Sequence, residues 1–273
     1  VRLATDVFLP GDGKGKYPII HVRCPYVKEN VEKEIGAEIP AAEKQFNIEK
    51  YIENGYGFAI QDCRGTGKSE GLYKPWLGDA EDGYQFVEWI AQQKWCSGKI
   101  GAIGPSNFGA VQLLTASMRP PHLTCIVPVG TSRSLPFFEN GILNLAGTSI
   151  WYIQQAFNSA VRSGMDKERF GRMKEKLDKI MANMEEQYNW LPLREIPLAN
   201  VEEVDMELFF HEFLEYLDQP AHWAHINNPV NILNINVPVL LVTNWYDHLA
   251  KNTFELYKIL KNYGTPTVQK NLR

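Results

Sequence analysis

One serine stands where an apolar run turns into a helical segment. Residues 99–109 have the sequence Lys-Ile-Gly-Ala-Ile-Gly-Pro-Ser-Asn-Phe-Gly, which predicts a short strand, a sharp turn and a helix, with Ser106 at the apex. Gly104 and Gly109 lack a Cβ and let the strand and the helix pass closely. The first N–H groups of the helix have no intrahelical acceptor and would face an oxygen that becomes negative. The pattern indicates a nucleophilic serine; a serine placed by chance in a βα turn is the alternative.

Two other polar residues could assist such a serine. Tyr26 follows a predicted strand at 17–23, and a phenol can donate a hydrogen bond to a developing oxyanion. A tyrosine packed at a domain edge is the alternative. Asp247 lies just past a predicted strand at 237–243, where the acid of a Ser–Asp–His chain order belongs, although an aspartate there can also be a helix N-cap.

Strands that alternate with helices must bring these residues together. Hydrophobic periodicity and turn residues predict strands at 2–9, 17–23, 57–62, 99–105, 123–129 and 237–243. Helices are predicted at 41–54, 79–93, 107–118 and from 248 to 263. This order predicts an α/β fold with a mainly parallel sheet that has helices on both faces.

The alternation stops between residues 131 and 227. This stretch is rich in aromatic residues, and helices are predicted at 144–163, 166–188 and 201–217. We interpret 131–227 as an inserted helical cap above the carboxyl ends of the strands, with 1–130 and 228–273 forming the core. A helical elaboration that does not contact substrate is the alternative, because most aromatic residues fill cores.

Composition limits the class of protein. The 273 residues carry a net charge of -4 without a basic patch, which argues against a nucleic-acid partner. The longest apolar runs fall far short of the roughly 18 residues that cross a bilayer. Four widely spaced cysteines match no metal or redox motif, and we interpret them as reduced residues of a cytoplasmic protein: Cys24, Cys63, Cys96 and Cys125.

Two weaker patterns bear on cofactor and metal binding. Gly67-Lys68-Ser69 is similar to part of a phosphate-binding loop, but Asp62 occupies the position of the required first glycine. His211, His222 and His225 have no acidic or cysteine partner at a diagnostic metal spacing, so pairing with surface carboxylates is favoured. We therefore expect neither an organic cofactor nor a metal.

Several separated stretches together resemble one family, the CocE/NonD hydrolases, the group of cocaine esterase and the Xaa-Pro dipeptidyl-peptidase-like enzymes. The matching stretches are 1–10, 23–26, 61–71, 81–109 and 237–247. The resemblance implies an α/β-hydrolase core with a helical cap. It also implies Ser106 as nucleophile, Asp247 as triad acid, and an oxyanion hole formed by the Tyr26 hydroxyl and the N–H of Asn107.

The chain also departs from the family pattern. Asn107 stands where the family often has an aromatic residue, and Pro105 precedes the serine, so the preference for the acyl group is open. His248, Leu249 and Ala250 stand where relatives that bind an α-amino group carry acidic residues. None of the six histidines fits the catalytic role, and the family's histidine is expected beyond residue 273.

The ends of the chain support the expectation that it is a piece of a longer protein. It has no starting Met, a strand is predicted directly at 2–9, and another strand is predicted to begin within 266–273. The family's C-terminal β-sandwich domain is missing as well. We therefore expect this fragment, without its histidine, to turn over poorly.

Taken together, the residues and the resemblance predict a serine hydrolase that cleaves an ester or amide bond, including an Xaa-Pro-type peptide bond, through an acyl-enzyme. The expected substrates are small esters, small amides or short peptides, and the sequence permits a homo-oligomer. Two alternatives stay open: a non-catalytic homologue that binds a ligand or partner, and an acyltransferase whose acceptor is not water.

Overall fold

The structure is a computed structural model that describes residues 1–28, 46, 48–132, 138–139, 142–162, 165–200, 215 and 232–273. The chain divides into two compact units. The first comprises Val1–Leu135 and Ile226–Arg273, and the second comprises Pro136–His225. The predicted helix at 201–217 lies outside the described residues apart from position 215, and so do His211, His222 and His225.

A five-stranded sheet organises the first unit. Its strands are β1 (Thr5–Phe8), β2 (Tyr17–Cys24), β3 (Gly57–Asp62), β4 (Cys96–Pro105) and β5 (Leu123–Val129). They lie in the order β1-β3-β2-β4-β5, and only β1 is antiparallel to its neighbour. The prediction of a mainly parallel sheet is confirmed.

The sheet continues beyond β5 through shorter pairings. Val239 and Val242 form parallel bridges to Ile126 and Val129. On the other side of this segment, the backbone of Arg273 exchanges hydrogen bonds with Val239 and Leu241. The residues predicted as a strand at 237–243 therefore bring the loop that follows them to the carboxyl end of β5.

Five described helices belong to the first unit. They are α1 (Ile48–Glu53), α2 (Asp79–Ala91), α3 (Asn107–Ser117), α7 (Ala250–Tyr263) and α8 (Pro266–Asn271). Helix α3 begins one residue after β4 and is buried on nearly all sides, which agrees with a sequence that contains no charged residue. The helix that carries the residues after Ser106 is thus part of the core.

Side chains alternate along the central strands and build an apolar core on each face of the sheet. Ile19 and Ala59 pack on one face with residues of α2, α3 and α7. Val22 and Phe58 pack on the other face with Ile48 of α1. Because successive strand residues point to opposite faces, the sheet is covered on both sides, as the sequence predicts.

A buried ion network anchors the loop between β3 and α2. Nη1 of Arg23 donates to the backbone carbonyl of Asp79 at 2.8 Å and to its Oδ1 at 3.0 Å. Nε of Arg64 donates to Oδ2 of Asp82 at 3.0 Å. Burial raises the pKa of the Asp79 carboxyl, and the charge of Arg23 opposes that shift. The network fixes both ends of residues 64–79, the loop that reaches the candidate site.

Among its described residues, the second unit has two paired strands of two residues each and three helices, followed by short 3-10 turns. They are β6 (Phe138–Glu139), β7 (Ile142–Leu143), α4 (Leu145–Arg162), α5 (Lys167–Ala182) and α6 (Met184–Tyr188). Helix α5 buries Met173, Leu177 and Ile180 on one face. The helix predicted at 166–188 is interrupted at Asn183, whose non-helical backbone separates α5 from α6.

The C-terminal residues differ from the sequence-based expectation. Instead of a strand, residues 266–271 form α8. Oγ1 of Thr265 accepts a hydrogen bond from the N–H of Val268 at 3.4 Å, and Pro266 occupies the first turn, where its missing N–H costs nothing. Only Arg273 pairs as strand backbone. In the part of the chain that the structure describes, no helix has the length and apolar character needed to cross a membrane.

His21 is a buried neutral histidine in the middle of β2. Its ring meets Phe86 edge-on at a centroid distance of 5.4 Å, and neither ring nitrogen has a hydrogen-bond partner among the described residues. Burial lowers the pKa of His21 to about 3, and the nearby charge of Arg23 acts in the same direction. Protonation of this ring therefore opposes folding.

We predict that His21 contributes to the loss of stability in acid. Because the pKa of His21 is lowered in the folded state, the unfolded chain takes up a proton at this residue more readily than the fold does. The contribution of His21 to stability is therefore complete above pH 6.5 and is lost as the pH falls from 6.5 towards 3. The free energy of unfolding should fall by about 2–3 kcal/mol between pH 7 and pH 4.5 from this residue. Urea unfolding at both pH values should show a smaller fall in His21→Leu.

The control is His122→Gln, because His122 is half exposed and pairs with Glu88 at the surface. The fall in the free energy of unfolding between about pH 7 and pH 4.5 should be larger in this variant than in His21→Leu. An equal fall in His21→Leu and the wild type would contradict the assignment.

Candidate functional site

Ser106 sits in a strained turn between β4 and α3. Its backbone has φ 52° and ψ -124°, a region that L-residues rarely adopt. The Ser106 N–H donates to the carbonyl of Val129 at 2.8 Å, and its carbonyl accepts from the N–H groups of Gly109 and Ala110 at 2.9 and 3.1 Å. Such a backbone costs about 1–3 kcal/mol and persists only when its surroundings enforce it. This is the geometry that holds a nucleophile above a sheet.

Two glycines make the turn sterically possible. A Cβ on Gly104 would lie 2.4 Å from Cβ of Phe108, and a Cβ on Gly109 would lie 2.8 Å from Cβ of Thr131. Real Cβ atoms do not approach neighbours so closely, so any side chain at either position would push α3 away from the strands. Both glycines are part of the motif on which the sequence prediction rests.

Asn107 is the first residue of α3, and its side chain is held by a tryptophan. Nε1 of Trp76 donates to Oδ1 of Asn107 at 2.7 Å, and both residues are buried. The Tyr73 hydroxyl lies beside the Asn107 side chain without reaching hydrogen-bonding geometry, and burial raises the pKa of Tyr73 well above its usual value. The backbone N–H of Asn107 is among those that a helix start leaves without an intrahelical acceptor.

Sequence reasoning missed Trp76 and Tyr73. They belong to the loop that the Arg23 network anchors, and neither stands at a spacing that any motif requires. The available signal was the presence of two aromatic residues within a loop in which most other residues are glycine, charged or polar. Aromatic residues in such a loop are buried only when they pack against another element, and here that element is the start of α3.

Tyr26 lies two residues beyond the end of β2, next to the end of β4. Strands β2 and β4 are parallel neighbours, so their carboxyl ends meet at one edge of the sheet. The Tyr26 ring packs against Phe108 with a centroid distance of 5.3 Å and an interplanar angle of 57°. Because Phe108 follows Ser106 by two residues, this contact brings Tyr26 to the turn that carries the serine.

Asp247 is held against the end of β5. Gly130 follows β5 with φ +47°, and a Cβ on it would lie 2.2 Å from Oδ2 of Asp247. Oδ1 of Asp247 accepts from the N–H of Leu249 at 2.9 Å, and Oδ2 accepts from Oγ1 of Thr243 at 3.4 Å. The carboxylate therefore occupies the space of an absent side chain just after β5, the strand next to β4.

The N-cap position of α7 is Leu249, so Asp247 does not itself cap the helix. Nδ1 of His248 lies 3.6 Å from Oδ1 of Asp247, beyond hydrogen-bond distance, and its side chain is 83% exposed. The structure thus brings Ser106, Tyr26, Asn107 and Asp247 to the carboxyl ends of neighbouring strands and leaves His248 in solvent. Within the described ranges, no group of three or more His, Cys, Asp or Glu side chains could hold a metal ion.

Comparison with known proteins places the chain in a family. The family described as X-Pro dipeptidyl-peptidase (S15 family) matches residues 1–271. The chain therefore belongs to the X-Pro dipeptidyl-peptidase (S15) family. It is 25% identical over 272 residues to cocaine esterase from Rhodococcus sp. (strain MB1 Bresler), a match that covers 96% of this chain and 44% of that protein.

Solved structures show the same fold. A CocE/NonD family hydrolase from Staphylococcus aureus is 22% identical with a TM-score of 0.62, covering 94% of this chain and 41% of that one. An aminopeptidase from a marine sediment Thaumarchaeota archaeon is 19% identical with a TM-score of 0.64, covering 95% of this chain and 43% of that one. The chain has an α/β-hydrolase fold and spans less than half the length of these relatives.

We predict that the Trp76 indole stabilises the start of α3. Trp76→Phe keeps most of the buried ring but leaves Oδ1 of Asn107 without its donor, which should lower the free energy of unfolding by about 1–3 kcal/mol. Urea unfolding at pH 7 measures the change.

Trp89→Phe serves as the matched control, because Trp89 is 44% exposed on α2. It should cost less than Trp76→Phe. Equal losses in the two variants would show that ring size and not the hydrogen bond accounts for the effect.

Proposed function

We propose that this member of the X-Pro dipeptidyl-peptidase (S15) family is a serine hydrolase that cleaves an ester or amide bond through an acyl-enzyme on Ser106. Family membership supports hydrolase activity in general. The main support for the serine is its φ of 52° at the junction of a parallel strand and a buried helix. The carboxylate of Asp247, seated against Gly130 at the end of the next strand, supports the acid.

In the proposed reaction, Oγ of Ser106 attacks the substrate carbonyl while an imidazole takes its proton. We expect that imidazole beyond residue 273 of the full-length protein. Asp247 would orient the ring and stabilise its charged form. The imidazolium then gives the proton to the leaving group, and water releases the acyl group by the same steps.

The oxyanion of the tetrahedral intermediate would be held by the Asn107 N–H and the Tyr26 hydroxyl. A donor of this kind typically contributes about 3 kcal/mol to lowering the barrier. The Trp76 hydrogen bond to Asn107 and the packing of Tyr26 on Phe108 support this role, because they fix both donors before substrate arrives. These protein groups supply every function that the proposed steps require apart from the base.

The proposed substrates are small esters, small amides or short peptides. Among the relatives, the matched family is described as X-Pro dipeptidyl-peptidase and the Rhodococcus protein is called a cocaine esterase. We also propose that residues 131–227 form a helical insertion in a core of 1–130 and 228–273, supported by the compact unit Pro136–His225. A cytoplasmic location is supported by four cysteines that carry no disulfide.

Replacing the proposed nucleophile tests the function directly. In the full-length protein, Ser106→Ala should lower kcat for p-nitrophenyl acetate by about 10⁴-fold or more and abolish labelling by a fluorophosphonate. Ser97→Ala is the control, because Ser97 is exposed near the other end of the same strand. Labelling that persists in Ser106→Ala would refute the proposal.

Replacing the proposed acid tests the arrangement at the end of β5. Asp247→Asn keeps the shape of the side chain but removes its charge, and should lower kcat by about 10⁴-fold because the imidazole loses its partner. His248→Gln should leave kcat unchanged, since this exposed ring takes no part in the proposed steps. Steady-state kinetics with p-nitrophenyl acetate measures kcat in both variants. A loss of kcat in His248→Gln larger than that in Asp247→Asn would identify His248 as the base.

A further inference from the structure

We propose that Thr131 and Thr253 are positioning residues that join the turn carrying Ser106 to the loop carrying Asp247. The inference rests on the proposed function, because it assigns these threonines to the alignment of nucleophile and acid. Both side chains are almost completely buried, and each bonds to a different segment of the chain. The two residues are 122 positions apart in the sequence, and no motif connects them.

Thr131 forms the link to the serine. It follows Gly130 at the end of β5, and its Oγ1 donates to the carbonyl of Ser106 at 2.8 Å. The absent Cβ of Gly109 leaves the space in which the Thr131 side chain lies. The carbonyl of Ser106 thus accepts from the Thr131 hydroxyl as well as from the N–H groups of Gly109 and Ala110. This extra bond fixes the orientation of the strained peptide unit.

Thr253 forms the link to the acid. Its Oγ1 lies on α7 and accepts from the N–H of Thr131 at 3.2 Å. The single hydroxyl proton is within reach of two carbonyls, that of Thr131 at 3.0 Å and that of Leu249 at 3.1 Å. The N–H of Leu249 in turn donates to Oδ1 of Asp247 at 2.9 Å. Two hydroxyl groups and short stretches of backbone therefore connect the serine turn with the carboxylate.

Hydrogen bonds between the strand backbones do not by themselves fix the turn that carries Ser106 relative to the loop that carries Asp247. The Ser106 N–H to Val129 and the Gly130 N–H to Val242 bonds fix the strand ends, but the residues that react lie beyond those ends. A misplacement of about 1 Å in a catalytic group can cost roughly 100-fold in rate. Threonine suits this task because its branched Cβ restricts χ1, which limits the directions that its hydroxyl can take.

Valine and serine variants separate positioning from simple packing. In the full-length protein, Thr131→Val keeps the shape but removes the hydroxyl, and should lower kcat for p-nitrophenyl acetate about 10-fold to 100-fold with KM within about 2-fold. Thr131→Ser restores the donor and should stay within about 3-fold of the wild-type kcat. Thr253→Val and Thr253→Ser should behave in the same way.

Thr115→Val is the matched control. Thr115 is also buried, and its hydroxyl donates to the Val111 carbonyl within α3, away from both loops. Its kcat should stay within about 2-fold of the wild type. A loss in Thr115→Val as large as that in Thr131→Val would overturn the inference, because any buried hydroxyl would then have the same effect.

Hydrogen exchange gives a readout that does not depend on activity. Thr131→Val should accelerate exchange at the N–H groups of Gly109 and Leu249, which lie at opposite ends of the link. Unchanged exchange at Leu249 would overturn the link itself. If Thr131→Val does not fold, Thr253→Val makes the same test from the other side.

The kinetic outcomes distinguish this inference from the proposed function. If the wild type is active, Ser106→Ala is inactive and Thr131→Val equals the wild type, the inference fails and the proposed function stands. If the wild type shows neither hydrolysis nor fluorophosphonate labelling, the proposed function fails and the catalytic role of both threonines fails with it. Only a selective loss of kcat in both valine variants, restored by serine, supports the inference.

Discussion

The strained backbone of Ser106 is the constraint on which the candidate site depends. A residue with a side chain keeps a φ of 52° only if its neighbours leave it no relaxed alternative. Here the N–H is bonded to β5, the carbonyl is bonded to α3 and to Thr131, and two glycines bring these elements within reach. The Ser106 hydroxyl is exposed at the carboxyl end of β4 because the packing around the turn outweighs the preference of the serine backbone for a relaxed φ.

The residues around Ser106 are likewise held in place by contacts with neighbouring loops and strands. The loop at 64–79 bears the tryptophan that bonds to Asn107, and the loop is held in turn by the buried Arg23 network. On the other side, the end of β5 receives both the Ser106 N–H and the Asp247 carboxylate. Site residues from four parts of the sequence are thus positioned by the ends of adjacent parallel strands, where ligands bind in folds of this kind.

Local patterns predicted much of the fold. Strands β3 and β5 have the predicted bounds, because short runs of buried residues between turn signals leave few alternatives. The prediction of a strand within 266–273 was wrong for residues 266–271, because the Thr265-Pro266 pair begins a helix there. The interruption at Asn183 was missed because helical periodicity continues through it.

For the candidate site, too, the sequence predicted some residues and not others. Ser106, Gly104 and Gly109 stand in one continuous motif, so sequence reasoning could place them together. Trp76, Thr131 and Thr253 act through partners far away in the chain, and their roles follow only from the three-dimensional packing.

Gly130 has a consequence for how such a site can change over generations. Its missing side chain leaves the volume that the Asp247 carboxylate fills, so the two positions are not free to vary independently. A lineage that gave up the acid would remove only one of the two reasons for glycine at this position, because a φ of +47° still disfavours any residue with a Cβ. Gly130 would therefore outlast the acid, and the space for an aspartate would stay open to its return.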